Sequence, residues 1–160
     1  MFIRIPLIFI IYSMKENFAA RRSSLAEKVL DDSAIIVGSA PVKSRISDTD
    51  YAYRQDSNFY YLSGYEEPES LLLLRPGHNT EKFVIFCRDR DPLREQWDGF
   101  RTGQDGAVSN FGADAAYSIN AVDELLPGML DGIKNIYFSM SAPCGCLLYT
   151  SDAADERQSV

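Results

Sequence analysis

Two short apolar runs joined by a turn are the sequence feature that most constrains the fold of this chain. Residues 71–74 (LLLL) and 83–87 (FVIFC) flank a polar turn that contains Pro76 and Gly77. Proline fixes one backbone dihedral and glycine supplies a positive φ, so the pair predicts a reversal between two strands. A hairpin is antiparallel, and the sheet that contains it therefore cannot be purely parallel.

Helix-like and strand-like segments lie on both sides of this hairpin. Their order predicts an α/β fold in which a mixed β-sheet is flanked by helices. Apart from the hairpin, the predicted elements are an amphipathic helix over 17–30, a buried strand over 34–37, a polar loop over 41–50, a helix over 58–62 capped by Asp56 or Ser57 and ended by Gly64, a strand over 117–119, a weak helix over 122–130 and a strand over 133–138.

Charge and cysteine content exclude some classes of function. The formal net charge of −7 argues against a nucleic-acid partner, because phosphate binding needs a basic face. The alternating acids and bases of residues 88–91 (RDRD) are interpreted as a solvated loop. An odd number of cysteines, with Cys87 inside an apolar run, predicts a reducing compartment without disulfides. We therefore expect a cytoplasmic protein with no membrane partner.

Both ends of the sequence differ from its middle. Residues 1–13 are apolar but too short to span a bilayer and lack a signal-peptide cleavage pattern, so we expect translation to start at Met14. A targeting segment is the alternative. Residues 146–156 (CLLYTSDAADE) match the translated codons of a transposon-end sequencing adapter. We therefore expect one domain over 14–145, an adapter-derived tail over 146–160, and a chain that is a fragment.

No catalytic constellation is visible in the sequence. The single histidine, His78, lies in the predicted turn without ligands at metal-binding spacing. Two other segments draw attention. Residues 51–64 are rich in aromatics, which is typical of a buried helix with polar caps. Residues 95–105 place the only tryptophan, Trp97, in a polar, glycine-bearing loop, a setting more typical of a partner or ligand contact.

Four stretches, taken in order, resemble the amino-terminal domain of the Xaa-Pro aminopeptidases, in the group that includes prolidase and creatinase. They are 18–25 (FAARRSSL), 53–64 (YRQDSNFYYLSG), 67–71 (EPESL) and 97–105 (WDGFRTGQD). The second stretch is the specific one, and the order of the others strengthens it. The resemblance covers roughly residues 14–142 and implies an amino-terminal domain like that of creatinase and prolidase.

The resemblance also implies what lies outside this chain. In the family, a separate catalytic domain binds two metal ions, usually manganese, and releases the amino-terminal residue that precedes proline. None of its metal ligands can be placed here, so we expect no cofactor in this chain and no peptidase activity from it alone. Its expected partners are the missing catalytic domain, peptides with proline second and further copies in a homo-oligomer. By resemblance, Trp97 is a contact to a neighbouring subunit's substrate pocket.

Two alternatives remain open from the sequence. The chain could be a free-standing α/β module used for binding or oligomerisation. It could instead be the amino-terminal domain of a prolidase- or creatinase-type enzyme. The adapter-like tail favours a truncated enzyme over the free-standing module. The 53–64 stretch favours the aminopeptidase branch.

Overall fold

The computed structural model of the chain describes residues 7–46 and 49–139. The predicted tail over 146–160 lies outside the described residues. In chain order the elements are α1 (Leu7–Ala26), β1 (Ser33–Gly38), β2 (Ser44–Ile46), β3 (Thr49–Asp50), α2 (Ser57–Ser63), β4 (Leu71–Leu74), β5 (Phe83–Cys87), α3 (Glu95–Asp98), α4 (Gly103–Phe111), β6 (Ala115–Ser118), a 3₁₀ turn (Ile119–Ala121), α5 (Val122–Met129) and β7 (Asn135–Phe138).

The central sheet has five strands in the order β6-β5-β4-β1-β7. Strand β4 pairs antiparallel with both β5 and β1, which confirms the predicted hairpin. The positive φ predicted for Gly77 is wrong: glycine fits there because a Cβ would collide with the Asp31 backbone carbonyl. Strands β6 and β7 close the two edges and each pairs in parallel with its neighbour. The predicted mixed sheet flanked by helices is therefore correct.

Helices cover both faces of this sheet. On one face, Ile35, Leu72 and Ile85 pack with residues of α2 and α4 and with Leu25 near the end of α1. On the other face, the buried residues include Leu73 and pack against α5. Every residue of β1, β4 and β5 is buried, as is expected for strands covered on both faces. The continuous apolar runs in the sequence follow from this burial.

Helix α2 has the ends that the sequence predicts. The Asp56 carboxylate accepts hydrogen bonds from the backbone N–H groups of Asn58 and Phe59, at 2.9 and 3.0 Å. Gly64 ends the helix in the left-handed region, with φ of 70°. Asp56, and not Ser57, is therefore the cap.

Helix α1 differs from the prediction at both ends. It begins at Leu7, well before residue 17, and ends at Ala26, before residue 30. The proposed boundary between residues 13 and 14 therefore falls within a helix. Leu30 is exposed, so the apolar period that suggested a longer helix stops at Val29. Within 7–46 and 49–139, no helix is long and apolar enough to cross a membrane.

Four further elements were missed or misplaced. The predicted loop over 41–50 contains the short antiparallel pair β2-β3, which carries no apolar period. Helix α4 was missed because its sequence, GQDGAVSNF, begins with and contains glycine, a poor helix former. Strand β6 begins at Ala115, earlier than the predicted residue 117, since alanine gives little strand signal.

Candidate functional site

Trp97 lies on the surface, as the sequence predicts. Its side chain is 88% exposed. It belongs to the single helical turn α3 and not to an irregular loop, and its backbone N–H donates to the Arg94 carbonyl at 2.9 Å. The following Gly99 adopts a φ of 87°, which stops the helix. The polar neighbours that hid this turn from sequence analysis also leave the indole uncovered.

Residues 88–102, which we call the Trp97 arm, connect β5 to α4. Two other large apolar side chains of the arm are exposed, Leu93 at 77% and Phe100 at 69%. Apolar side chains that share one surface segment with a tryptophan are typical of a protein contact. The arm therefore presents apolar area that the domain itself does not cover.

The two ends of the arm meet at one carboxylate. Glu67 Oε1 accepts a hydrogen bond from the Thr102 backbone N–H at 2.7 Å, and Glu67 Oε2 lies 3.5 Å from Arg88 Nη2. Asp89 adds a second connection, since its Oδ1 accepts from Gln104 Nε2 at 2.7 Å. These contacts form the base of the arm.

Arg90 stabilises the arm internally. Its guanidinium pairs with Glu95 at 3.2 Å and lies over the Phe100 ring, 5.1 Å from the centroid. Its aliphatic carbons lie against Gly103, where an added Cβ would approach Arg90 Cγ to 2.5 Å. Residues 88–91 form neither helix nor strand, and Asp89 and Arg90 are exposed, which agrees with the predicted solvated loop. The sequence did not reveal that Arg88 and Arg90 pair with Glu67 and Glu95.

The aromatic segment over 51–64 is mainly structural. Phe59 is fully buried in the core. Gln55 makes hydrogen bonds with both ends of its amide. Its Oε1 accepts from the Ala40 backbone N–H and the Tyr53 hydroxyl, and its Nε2 donates to the Glu67 carbonyl at 2.9 Å. These hydrogen bonds hold the backbone at Glu67 in a defined position.

The potentially reactive residues that the structure describes are engaged elsewhere. His78 Nδ1 accepts from the Glu81 backbone N–H at 2.9 Å and closes the hairpin turn. Burial raises the pKa of the Cys87 thiol to about 11, so the thiol is protonated at neutral pH. Within residues 7–46 and 49–139, no group of three or more His, Cys, Asp or Glu side chains converges on a point that could hold a metal ion.

Sequence reasoning missed the residues at the base of the arm. Glu67 lies in the family-like stretch over 67–71, yet no sequence spacing connects this residue to Thr102 or Arg88. Asp89 was placed in a solvated loop. These contacts join positions far apart in the sequence, so no local period reveals them.

The family model for "Aminopeptidase P, N-terminal domain" matches residues 18–137. A curated relative, the Xaa-Pro aminopeptidase of Haemophilus influenzae, is 39% identical over 77% of this chain and 29% of its own length. The chain thus spans less than a third of that relative.

Solved structures give the same similarity. Pseudomonas aeruginosa aminopeptidase PepP superposes with a TM-score of 0.81 at 39% identity, over 99% of this chain and 35% of that one. Zinc-substituted Escherichia coli aminopeptidase P in complex with product superposes with a TM-score of 0.75 at 35% identity, over 79% of this chain and 29% of that one.

Proposed function

Because this chain belongs to the aminopeptidase P N-terminal domain family, we propose that it is the non-catalytic part of an enzyme that removes the residue preceding proline from peptide amino termini. The match over residues 18–137 carries this proposal, together with the share of the curated relatives that the chain spans. The remaining length of such an enzyme would hold the catalytic domain, the principal partner of this one. The proposal includes that the chain is a fragment.

The proposal includes that this chain alone has no peptidase activity. A two-metal hydrolytic site needs several converging carboxylate and imidazole ligands. The side chains described between residues 7 and 139, apart from 47–48, do not provide such a group and do not fit a metal pair. We place the two metal ions, expected to be manganese, in the catalytic domain.

The named relatives support the aminopeptidase branch over a prolidase- or creatinase-type enzyme, since their names specify Xaa-Pro aminopeptidase. A free-standing module used for binding or oligomerisation is the other alternative. Genomic sequence past the codon for Gly145 separates the two, because a module would stop there and an enzyme would continue into metal-ligand motifs.

Trp97 is proposed as a contact to the substrate pocket of a neighbouring subunit in a homo-oligomer. Its exposure and that of Leu93 and Phe100 support a surface covered by a partner. The base formed by Glu67 supports it too, because a contact residue needs a defined position.

Domain limits at residues 14 and 145 and a cytoplasmic location complete the proposal. Cell fractionation with an antibody against the domain tests the location. The limits are tested by truncation, as described in the Discussion.

The decisive experiment compares the 160-residue chain with the full-length gene product on a peptide whose second residue is proline. We expect the full-length protein to release the first residue and to lose this activity with a chelator. We expect no turnover by the 160-residue chain. Chelator-sensitive turnover by the short chain, or none by the full-length protein, would contradict the proposal.

A further inference from the structure

Glu67 lies where three separate stretches of the sequence meet. Its carboxylate accepts from the Thr102 N–H and pairs with Arg88, while its own carbonyl accepts from Gln55 Nε2. Thr102 and Arg88 are the two ends of the Trp97 arm. One side chain therefore contacts both points at which the arm joins the domain.

The Glu67 contacts are shielded from solvent. The side chains of Glu67 and Arg88 are 17% and 15% exposed. Hydrogen bonds to a charged acceptor are shorter and stronger than neutral ones, and the Thr102 bond, at 2.7 Å, has the expected length. A shielded, charge-assisted contact of this kind restricts motion more than an exposed ion pair does.

We propose that Glu67 is a positioning residue for Trp97. By holding Arg88 and Thr102 together, it fixes the direction in which the arm leaves the sheet. The use of that direction, contact with a neighbouring subunit's pocket, rests on the function proposed above. The mechanical role is a property of the single chain and can be tested by itself.

The other contacts of the arm do not replace Glu67. Arg90 and Glu95 both lie within the arm, so their pair stiffens the arm without orienting it on the domain. Asp89 also binds the domain, since its carboxylate accepts from Gln104 Nε2 and from Ser118 Oγ, both at 2.7 Å, but these bonds are exposed and open to competition from water. Gln55 acts one step further back, by holding the Glu67 carbonyl.

The single tryptophan makes the test specific. In the 160-residue chain, time-resolved fluorescence anisotropy reports on Trp97 alone. Backbone amide order parameters of residues 95–100 report on the same segment by NMR. We expect values typical of rigid backbone, about 0.85, in the unmodified chain and values below about 0.6 in Glu67→Ala. The fast component of the Trp97 anisotropy decay should grow in parallel.

Two further variants separate positioning from general destabilisation. Glu67→Gln keeps an acceptor for the Thr102 N–H but loses the ion pair with Arg88, so we expect it to restore only part of the order. Glu81→Ala removes the partner of the buried Arg75 at the opposite end of the hairpin, where the pair is 2.7 Å apart. It should lower the unfolding midpoint without changing the order of the arm.

Unchanged order parameters at 95–100 in a folded Glu67→Ala chain would overturn the proposal. If that variant does not fold, the test is Arg88→Met, because this variant removes the ion pair with Glu67 and leaves Glu67 itself in place. A loss of order in Arg88→Met supports the role and unchanged order overturns it. Either outcome is independent of peptidase activity, so the proposed function stands or falls separately.

Discussion

The guanidinium of Arg22 lies over the ring of Phe83, 3.9 Å from its centroid. The same group donates from Nη1 to the Leu62 carbonyl at 2.9 Å. Burial lowers the pKa of Arg22 to about 10, while nearby Asp114 raises it, so the side chain is charged at neutral pH. A single arginine thus joins helix α1 to the end of α2 and to the first residue of β5.

Arg22→Ala should destabilise the domain far more than Arg21→Ala. A desolvated cation–π contact and a hydrogen bond from a charged donor each contribute about 2 kcal/mol, so we expect a loss on the order of 2–4 kcal/mol. Arg21 makes similar contacts, a hydrogen bond to the Tyr61 carbonyl and cation–π contacts with Phe18 and Tyr61, but its hydrogen bond is exposed and its rings lie further away, so its loss should cost about 1 kcal/mol. Urea denaturation followed by circular dichroism measures both, and equal losses would show that Arg22 has no special role.

Gly64→Ala should cost more than Gly132→Ala. Both glycines have positive φ, 70° and 77°, and alanine in this region costs roughly 1–2 kcal/mol. At Gly64 an added Cβ would also lie 2.5 Å from Phe18 Cε2, whereas at Gly132 it would meet nothing within 4 Å. Crowding should add about 1–3 kcal/mol at Gly64 alone. The difference in unfolding free energy between the two variants measures this crowding, and no difference would mean that the Phe18 ring can move aside freely.

Trp97→Ala should leave the stability of the isolated chain nearly unchanged. A surface substitution typically changes the free energy of unfolding by less than about 0.5 kcal/mol. Phe59→Ala, in the buried core, is the control and should cost about 3–5 kcal/mol. A large loss in Trp97→Ala by chemical denaturation would mean that the indole is packed against the domain.

The stability of the domain should fall as pH rises above about 9. Burial raises the pKa of Cys87 from 9.0 to about 11. As pH rises, the thiol therefore ionises in the unfolded chain before it does so in the folded one, which stabilises the unfolded state. Ionisation of Cys87 therefore leaves the free energy of unfolding unchanged below pH 9 and lowers it between pH 9 and pH 11, by at most about 3 kcal/mol.

Comparison with Cys87→Ala tests this effect, because the two chains share every other titrating group, although the pKa of the adjacent Tyr65, which burial raises and Cys87 raises further, changes with it. The variant should be less stable at pH 8, since a small void replaces the thiol, but its stability should fall less steeply with pH. Parallel curves from pH 8 to 10 in urea denaturation would exclude Cys87 as the cause.

Removal of residues 146–160 should not affect the domain. We propose that these residues do not pack on the domain, and we therefore expect the thermal midpoint to change by no more than a few degrees. Removal of residues 1–13 is the more demanding test, because α1 begins at Leu7 and the cut shortens it. A thermal midpoint that falls clearly in the second variant would move the domain boundary toward the amino terminus.

The elements predicted well from the sequence are those determined by local chemistry. The hairpin follows from two apolar runs with a turn between them, and α2 follows from Asp56 and Gly64, whose roles depend on their neighbours in sequence. Gly77 was predicted for the wrong reason, since its missing Cβ makes room for the distant Asp31 carbonyl. Helix α4 escaped prediction because its stability comes from tertiary burial of Ala107 and not from propensity.

The candidate site also contains features that local sequence predicts and features that it does not. The exposure of Trp97 could be predicted because its neighbours are polar. The contact between Glu67 and Thr102 could not, because it joins residues 35 positions apart through one side chain and one backbone group. Contacts of this type depend on the completed fold.

The contact that Glu67 makes with both ends of the Trp97 arm also affects how the sequence of the arm can change during evolution. Since Arg88 and Thr102 both contact Glu67, the arm between them closes on itself, and its exposed part around Trp97 is not packed on the sheet. Closure entropy grows only slowly with added residues, about 0.6 kcal/mol for each doubling. Insertions, deletions and exchanges of recognition residues around Trp97 can therefore accumulate without refolding the core, which makes this exposed part of the arm a separable unit of evolutionary change.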